Sequence, residues 1–254
     1  IIDSFLSGKN VLVTGAGGSI GSEICRQVLS YGPASLTLFD HSEFNLFEIH
    51  RELSRDSGDC KINACMGDVK RETDVKRAFE IAGQVDIVYH AAAYKHVHLA
   101  EHNEPAVVLN NVIGSAKVAE IAQASGVKQF VLVSTDKAVR PTSIMGASKR
   151  LAERCLLERP LNGTNFKAVR FGNVLGSSGS VIPIFKRQIE EGGPITVTSK
   201  DVTRFFMTIP EAVELVLMAG AVGEDRNIMV LEMGDPVKID TLARQLIELS
   251  GLVP

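Results

Sequence analysis

Short apolar runs alternate with longer amphipathic stretches along the chain from residue 9 onward. The apolar runs are rich in β-branched residues and have the length of buried strands; they lie at 9–14, 35–40, 61–66, 85–90, 127–134 and 166–171. The stretches between them repeat apolar residues at helical spacing, and they lie at 19–31, 43–54, 71–82, 104–125 and 144–158. This alternation predicts a Rossmann-type α/β fold, a doubly wound parallel sheet with helices on both faces.

The pattern changes after about residue 172, where glycines and Pro183 surround one short predicted helix. A strand-like run at 195–198, a helix at 210–221, a strand at 227–232 and a helix from 239 follow. We therefore expect a large domain at 1–172 and a smaller C-terminal lobe at 173–254 that is interleaved with it.

The composition narrows the class of protein without identifying an activity. Of the 254 residues, 45% are apolar and 22% are charged, which is typical of a globular protein and excludes a mainly disordered chain. A net charge of −3 gives no electrostatic reason to expect nucleic acid as a partner. The four cysteines show no C-x-x-C spacing, which favours reduced thiols in the cytoplasm. The apolar stretch 215–223 is shorter than the roughly 20 residues of a membrane span, and no secretory signal is visible.

A glycine-rich segment joins the first predicted strand to the first helix. Gly15, Gly18 and Gly21 follow one another at intervals of three, which suits a tight turn, close approach of the backbone to a pyrophosphate and close helix packing. Ser19 and Ile20 begin the helix, whose free N–H groups and positive dipole end would face the phosphate. Because a strand and a helix flank this loop, it predicts a dinucleotide-binding turn rather than a simple turn.

Acidic residues follow the next two strands. Asp40 is placed where a carboxylate would bind the adenosine ribose of NAD and repel the extra phosphate of NADP, so NAD is the expected cofactor. An alternative is that Asp40 caps the helix beginning near Ser42. Asp68 and Val69 end the third strand, where they would meet the adenine, although an Asp that merely starts a turn is an alternative.

Two further segments lie where open α/β sheets place their ligands. Ser134-Thr135-Asp136-Lys137 ends the fifth strand, and Met145 and Lys149 share one face of the following helix. Together with the glycine loop and Ala91-Ala92-Ala93 after the fourth strand, these segments resemble the extended short-chain dehydrogenase/reductase superfamily. The resemblance implies that Ala91, Ala92 and Lys149 bind NAD, with Lys149 holding the nicotinamide ribose.

Longer blocks resemble a narrower group, the bacterial polysaccharide-biosynthesis nucleotide-sugar 4,6-dehydratases, and within it the configuration-retaining UDP-N-acetylglucosamine 4,6-dehydratases. The blocks are residues 93–97, 134–142, 145–153 and 170–180, and the resemblance extends from about residue 8 to the end of the chain. In the wider superfamily a Tyr acid/base lies four residues before the Lys, whereas this sequence has Met145 there. A thioether cannot move a proton, and the narrower group shares this Met, so another residue must take that role.

The resemblance implies oxidation of sugar carbon 4 by NAD, loss of water across carbons 5 and 6, and return of the hydride to carbon 6. These proton transfers need at least two titratable groups. Strict alternation would point Asp136 and Lys137 to opposite faces, so both can serve only if the strand ends at Thr135. We hypothesise that Lys137 is the base at carbon 5, Asp136 the acid toward the 6-hydroxyl, and Thr135 the hydrogen-bond partner of the 4-oxygen. A surface ion pair in a turn is the alternative for Asp136 and Lys137, and a core contact for Met145.

The sugar nucleotide also needs a clamp for its diphosphate. A guanidinium such as that of Arg204 suits a diphosphate because it offers a planar fork of donors, although a surface ion pair is the alternative. The resemblance implies a UDP site, with Ile195 and Thr196 beside the uracil, made of Asn173, Ser180, Val181, Ile195, Thr196 and Arg204. Lys95 or His96, after the fourth strand, could contact the substrate, although a loop histidine that only bonds the backbone is equally compatible.

The leading hypothesis is therefore an NAD-dependent UDP-N-acetylglucosamine 4,6-dehydratase, a lyase of surface polysaccharide synthesis. A UDP-sugar 4-epimerase shares the fold and cofactor, but it needs no acid at carbon 6 and normally keeps the Tyr that is absent here. A non-catalytic NAD-binding regulator would not need Asp136, Lys137 and Lys149 together. The resemblance implies a homo-oligomer through helices 104–125 and 144–158. Related enzymes often carry transmembrane helices ahead of this domain, so a soluble cytoplasmic protein and the cytoplasmic domain of an inner-membrane protein both stay open.

Overall fold

The computed structural model describes residues 1–160, 162–177, 181–197 and 199–253. The chain forms two compact units, each built from two separate stretches. The first unit comprises Ile1–Arg170 and Val213–Val230, and the second comprises Phe171–Ala212 and Leu231–Pro254. The sequence pattern assigned 213–230 to the C-terminal lobe, but these residues belong to the first unit because they end in a strand that pairs with its sheet.

The first unit contains a seven-stranded sheet, and its topology confirms the Rossmann-type α/β fold. The strands are β1 (Asn10–Thr14), β2 (Ser35–Asp40), β3 (Lys61–Met66), β4 (Ile87–His90), β5 (Gln129–Thr135), β6 (Asn165–Phe171) and β10 (Ile228–Val230). Their spatial order is β10-β6-β5-β4-β1-β2-β3. The pairs β1–β2, β1–β4, β2–β3, β4–β5 and β6–β10 are parallel. Because the order reverses between β1 and β4, their carboxyl ends flank the crevice where such sheets bind ligands.

Helices connect these strands. They are α1 (Ile2–Leu6), α2 (Ser19–Ser30), α3 (Glu43–Leu53), α4 (Glu72–Ala82), α5 (Val97–Ala100), α6 (Glu104–Val108), α7 (Ser115–Ala124) and α8 (Ile144–Leu157), with α10 (Ile209–Val222) running from the second unit into the first. The prediction of one continuous helix at 104–125 is wrong, because a π-helical turn at Leu109–Gly114 separates α6 from α7. The turn brings Asn110 and Asn111 to buried positions, and π-helical turns of this kind are frequent at functional sites.

The strands of the first unit are apolar because helices cover both faces of the sheet. All six residues of β2 are buried, and Leu12, Val88 and Phe130 belong to one apolar cluster that extends to α4, α7 and α8. This packing explains why the sequence shows unbroken apolar runs rather than strict alternation. The rigid sheet holds the loops at its carboxyl edge in place.

The second unit is built from short elements. They are β7 (Asn173–Leu175), α9 (Val181–Glu190), β8 (Thr203–Arg204), β9 (Phe206–Thr208), β11 (Val237–Lys238) and α11 (Ile239–Leu249). β7 pairs in parallel with β9, and β8 pairs antiparallel with β11. Phe185, Ile239 and Ala243 form its core. The strand predicted at 195–198 is absent from residues 195–197, and Thr198 lies outside the described residues; Thr196 bonds the side chain of Gln188 instead of a neighbouring strand.

In the part of the chain that the structure describes, no helix combines the length and the apolar character that crossing a bilayer takes.

Candidate active site

The glycine loop between β1 and α2 fits closely against the segment after β4. Gly15 has a φ of 68°, and a Cβ there would lie 2.7 Å from the backbone nitrogen of Ala92. A Cβ at Gly21 would collide with the carbonyl oxygen of Gly15. A side chain at either position would therefore displace the loop. Ser19 and Ile20 form the first turn of α2, the end of the helix that carries the positive end of its dipole.

An open cleft lies at the carboxyl ends of β1, β2, β3 and β4. It is lined by Gly15, Gly18, Phe39, Asp40, His41, Asn45, Gly67, Asp68, Val69, Ala91, Ala92, Ala93, Tyr94 and Asn110. The structure thus brings together most of the residues predicted to bind the cofactor, although they come from four separate parts of the sequence. Ser19, Ile20, Gly21 and Lys149 are not part of this lining.

Asp40 is buried, and backbone groups bind its carboxylate. Oδ2 accepts a hydrogen bond from the N–H of Gly17 at 2.8 Å, and Oδ1 accepts one from the N–H of Ser42 at 2.9 Å. Ser42 is itself the N-cap of α3, since its Oγ accepts from the N–H of Asn45, so Asp40 is not the capping residue. The carboxylate instead joins β2 to the glycine loop. The His41 Nδ1 also lies 3.5 Å from Oδ1, whereas Oδ2 keeps a second lone pair that can accept from a hydroxyl group.

Asp68 and Val69 form the wall of the cleft after β3. The Asp68 carboxylate lies 2.6 Å from the Lys70 Nζ and accepts a second hydrogen bond from the Lys70 N–H at 2.9 Å. Burial opposes the charged carboxylate, but the hydrogen bonds from Lys70 outweigh it and hold the pKa of Asp68 below its ordinary value. Val69 is buried beside Gly114 of the π-helical turn.

Thr135, Asp136 and Lys137 lie together where β5 ends. The strand stops at Thr135, and Asp136–Ala138 form a 3₁₀ turn capped by the Thr135 side chain. Asp136 Oδ1 accepts from the Thr135 Oγ1 at 3.0 Å and from the Lys137 Nζ at 3.1 Å. The turn breaks the alternation of the strand, so a carboxylate, an ammonium and a hydroxyl share one side. The sequence-based condition that the strand ends at Thr135 is therefore met.

Gly146 holds this turn against α8. A Cβ on Gly146 would collide with the carbonyl oxygen of Lys137 and would lie 3.2 Å from the Ser143 Oγ. The Ser143 Oγ caps α8 by accepting from the Gly146 N–H at 3.1 Å. Only a residue without a side chain permits this approach.

Under the hypothesis that Asp136 and Lys137 are the reacting groups, Gly146→Ala is expected to lower turnover by about 10²-fold, because it would displace the Lys137 backbone by about 1 Å. The measurement is the steady-state rate, with circular dichroism to confirm that the variant is folded. Leu151→Ala, on the exposed face of the same helix, is the control and should retain the wild-type rate. An Ala variant with the wild-type rate would show that the turn need not contact α8 closely.

Met145 and Lys149 both lie on the buried side of α8. Met145 packs against Ala100 and Val107, so the core-contact alternative describes its surroundings. Lys149 is 6% exposed, and its Nζ donates to the carbonyl oxygen of Val133 at 2.6 Å. Burial lowers the pKa of Lys149 to about 8, against a smaller opposite effect of Glu153. At neutral pH the ammonium form therefore still predominates.

Lys95 and His96, which were predicted to contact the substrate, are less buried than Met145 and Lys149. Lys95 is exposed, although partial desolvation of its ammonium lowers its pKa. His96 is the N-cap residue of α5, without a side-chain hydrogen bond to it, and partial burial lowers its pKa.

In the second unit, Arg204 is exposed and its guanidinium donates to the carbonyl oxygen of Thr203. Asn173 pairs with Phe206 across β7 and β9, and Val181 and Ile195 pack against the core of the unit. Thr196 exchanges two hydrogen bonds with Gln188. Ser180 lies outside the described residues.

Comparison with known proteins identifies the family. The polysaccharide biosynthesis protein family matches residues 11–254. The chain belongs to this family. Among its curated relatives, the capsular polysaccharide biosynthesis protein CapD of Staphylococcus aureus is 51% identical over 99% of this chain and 42% of its own length. The chain thus spans about two fifths of the length of such relatives.

Relatives that carry the name of an activity are more distant. The UDP-N-acetylglucosamine 4,6-dehydratase (inverting) of Campylobacter jejuni is 34% identical over 83% of this chain and 63% of its own length. The UDP-glucose 4-epimerase of Rickettsia canadensis is 33% identical over 96% of this chain and 71% of its own length. Dehydratases and epimerases are therefore both relatives of this family member.

Solved structures agree with the family. Pen from Bacillus thuringiensis is 37% identical, with a TM-score of 0.90 over 97% of this chain and 78% of its own. DesIV, a dTDP-glucose 4,6-dehydratase from Streptomyces venezuelae solved with NAD bound, is 21% identical, with a TM-score of 0.86 over 95% of this chain and 81% of its own; it shares the fold. Together with the family match, these similarities confirm the resemblance to the extended short-chain dehydrogenase/reductase superfamily.

A buried ion pair of this family member escaped prediction from the sequence. Glu153, 1% exposed on α8, accepts from Arg170 of β6 through both carboxylate oxygens, at 2.8 Å and 2.5 Å, and from the Ser134 Oγ at 2.5 Å. This contact joins α8 to β5 and β6 next to Lys149. Helical spacing could have suggested that Glu153 is buried, because it lies four residues after Lys149 and so shares its buried face, but spacing does not identify Arg170 as the partner.

A second buried chain of hydrogen bonds runs below the cleft. The Ser115 Oγ donates to the carbonyl oxygen of Asn111 at 2.7 Å, so it must accept from the His90 Nε2 at 2.8 Å. This assigns the proton of His90 to Nε2 and leaves Nδ1 to accept from the Thr14 Oγ1 at 2.6 Å. His90 lies within the apolar run at 85–90. The sequence pattern therefore predicted that His90 belongs to a strand, but not that it takes part in these hydrogen bonds.

We expect the free energy of unfolding to fall in acid, because buried His90 resists protonation in the native protein. Burial lowers the pKa of His90 from 6.5 to about 3, with Lys149 adding to the shift. Below pH 6.5 the unfolded chain therefore binds a proton that the native chain does not bind. The free energy of unfolding should fall by about 1.4 kcal/mol per pH unit from this group as the pH drops from 6.5 toward 3.

Urea denaturation at several pH values tests this expectation. His90→Gln removes the titrating group, so its stability, although lower, should depend less on pH across that window. The exposed His102→Gln variant is the matched control and should keep the wild-type slope. A His90→Gln protein with the wild-type slope would contradict the assignment.

Proposed function

We propose that this chain catalyses the NAD-dependent dehydration of UDP-N-acetylglucosamine to the UDP-4-keto-6-deoxy sugar in surface polysaccharide biosynthesis. The observation that carries the proposal is the contact of Asp136 with Lys137 and Thr135 at the end of β5. It supplies an acid, a base and a hydroxyl at the ligand-binding edge of a Rossmann sheet. The names of the Campylobacter dehydratase and CapD support the reaction class and the pathway.

The cleft fits a dinucleotide, because a Cβ at Gly15 or Gly21 would fill the space that the close-packed loop needs. Gly15, Gly18 and the first turn of α2 at Ser19 and Ile20 would hold the pyrophosphate. Asp40 would accept from the adenosine ribose, Asp68 and Val69 would meet the adenine, and Ala91 and Ala92 would line the opposite wall. Lys149 would hold the nicotinamide ribose. Bound there, NAD would supply the hydride acceptor for oxidation at carbon 4 and the hydride donor for reduction at carbon 6; the NAD bound in DesIV supports this choice.

The contact between Lys137 and Asp136 can prepare both reacting groups at once. Transfer of one proton across the 3.1 Å between Nζ and Oδ1 gives a neutral amine and a carboxylic acid, without a change in net charge. Lys137 then takes the proton of carbon 5, while Asp136 gives its proton to the departing 6-hydroxyl, which leaves as water. The proton of the 4-hydroxyl leaves to solvent during oxidation at carbon 4, and solvent returns one proton to Asp136 after the water has left. Lys137 returns its proton to carbon 5 at the end. Thr135 would donate to the 4-oxygen.

The second unit would bind the sugar nucleotide, and the first would bind NAD and carry the reacting groups. Arg204 has an exposed guanidinium that would pair with a diphosphate, and Asn173 lies two residues after the end of β6. Val181 and Thr196 would complete the site, with Ile195 beside the uracil. Lys95 and His96, next to the cleft, would contact the sugar.

The test is incubation of the purified protein with UDP-N-acetylglucosamine and catalytic NAD, followed by mass spectrometry. Loss of one water without net reduction of NAD is the expected result. Unchanged mass with formation of UDP-N-acetylgalactosamine would show an epimerase, the activity by which the Rickettsia relative is named. NAD binding without a change in any UDP-sugar of a panel would show a regulator.

A further inference from the structure

Lys70 and Tyr94 connect two loops that lie apart at the edge of the sheet. Lys70 follows β3 and Tyr94 follows β4, and the order β4-β1-β2-β3 places three strand spacings between these strands. At 4.7–4.9 Å per spacing, the loops start about 14 Å apart. The Lys70 Nζ nevertheless lies 3.4 Å from the Tyr94 Oη and 2.6 Å from an Asp68 oxygen. Since Asp68 and Tyr94 both line the cleft, this contact runs across its two walls.

The backbones at both ends of this bridge are held in place. The Asn111 side chain accepts from the Tyr94 N–H at 2.8 Å and donates to the Tyr94 carbonyl oxygen at 2.9 Å. The same amide donates to the Ser148 Oγ of α8 at 3.0 Å. On the other side, the Lys70 carbonyl oxygen accepts from the Lys117 Nζ at 3.3 Å. Only the side chains of Lys70 and Tyr94 are therefore free to open the bridge.

The bridge is charged but not deeply buried. Burial disfavours the charged forms, yet mutual hydrogen bonding outweighs it, so the pKa of Lys70 lies above its ordinary value and that of Asp68 below its own. The side chains of Lys70 and Asp68 are 29% and 27% exposed, so water can replace either partner. A contact of this kind holds in the resting state and opens at modest cost.

We propose that Lys70 and Tyr94 form a clasp across the adenine side of the cleft that slows release of bound NAD. The inference rests on the proposed function, in which the cofactor returns to its starting state in each cycle. Such a cycle never requires NAD to leave, so a clasp that delays its exit does not slow turnover. Neither residue takes part in a proton transfer; both act by closing the cleft.

The test is the rate at which NAD leaves the protein. Loaded protein is freed of excess NAD by gel filtration, and release is followed over time for the wild type and for Lys70→Met, Tyr94→Phe and the double variant. Tyr94→Phe should release NAD about 3- to 10-fold faster, the range expected for loss of one hydrogen bond. Lys70→Met should release it at least as fast, because it also removes the ammonium that binds Asp68. The double variant should release it no faster than the faster single variant, because both substitutions break the same contact.

Lys76→Met is the matched control, because it removes an ammonium that lies 2.6 Å from Glu72 on the exposed surface of α4. It should release NAD at the wild-type rate. The fraction of chains that bind NAD is measured alongside: a folding defect would lower it, whereas loss of the clasp would not.

Two results would overturn the clasp. One is a wild-type release rate in both single variants; the other is an additive effect in the double variant. Failure of the dehydration reaction is a separate result, because release of NAD can be measured in a protein that changes no sugar. A wild-type chain that binds no NAD would overturn both the clasp and the proposed function.

Discussion

Lys137→Ala and Asp136→Asn should each lower the dehydration rate by about 10²- to 10⁴-fold, the usual contribution of a positioned acid or base. Ala removes the amine that would take the proton of carbon 5. Asn keeps the shape of Asp136, but its amide is too weak an acid to protonate the departing 6-hydroxyl. Both variants should still bind NAD, because neither side chain lines the cofactor cleft. The measurements are the steady-state rate and the NAD content of the purified variants.

A second measurement separates the two roles. In deuterated water, the wild-type product should carry deuterium at carbon 5, since Lys137 exchanges its protons with solvent between removal and return. In Lys137→Ala, exchange at carbon 5 should slow together with product formation, because no amine removes that proton. Asp136→Asn keeps the amine, which can pass its proton to solvent instead of to Asp136, so exchange at carbon 5 should continue while loss of water slows. Lys128→Ala, exposed at the opposite end of β5, is the control and should keep full activity.

A rate near that of the wild type in either variant would show that its role is assigned wrongly. Loss of NAD together with activity would point instead to a structural effect, because Asp136 also bonds the Thr135 side chain that caps the turn. Thr135→Ser keeps the hydroxyl that caps the turn, so this variant should keep both its bound NAD and its activity.

The fold and the cofactor cleft were accessible from the sequence because they depend on local patterns. Strands such as β2, buried on both faces, show as unbroken apolar runs, and Gly15 and Gly21 are required where a Cβ would collide. The arrangement of Asp136 and Lys137 could be stated only as a condition. Whether a strand ends at Thr135 depends on the turn that follows, and hydrophobic periodicity carries no information about it.

Long-range contacts and short segments were less accessible. Nothing in a linear pattern pairs Glu153 with Arg170, or gives His90 its partners Thr14 and Ser115, because such contacts exist only after the sheet has assembled. The prediction of a strand at 195–198 was wrong because of a local contact rather than a long-range one. β-branched residues favour a strand, but a run this short follows whatever partner is available, and for Thr196 this is the Gln188 side chain.

Breaking the pair between Glu153 and Arg170 is expected to have the largest effect on stability. Glu153→Leu or Arg170→Met should lower the free energy of unfolding by about 3–5 kcal/mol, because each leaves a buried charge without its partner. The exposed fractions are 1% for the Glu153 side chain and 10% for that of Arg170, so water cannot replace the lost contact. Burial disfavours the charged guanidinium, but its hydrogen bonds to Glu153 exert the larger effect and raise the pKa of Arg170.

Urea denaturation of three proteins decides whether unpaired charge is the cause. The double variant Glu153→Leu with Arg170→Met removes both charges, so it should be more stable than either single variant. The Ser134 Oγ loses its acceptor there, which keeps the recovery incomplete. A double variant whose loss equals the sum of the single losses would show that packing, rather than unpaired charge, accounts for the effect.

The exposed pair of Arg26 and Glu52 is the matched control, because it has the same two-pronged geometry, with distances of 2.6 Å and 3.0 Å. The two side chains are 41% and 50% exposed, so water can solvate the partner that remains. Arg26→Met should therefore lower the free energy of unfolding by no more than about 1 kcal/mol. Equal losses at the two sites would show that the position of the pair in the fold does not set its contribution. A large loss for Arg170→Met with a small loss for Arg26→Met would show that burial gives the Glu153–Arg170 contact its large contribution. This contact would then hold α8, which carries Lys149, against the sheet.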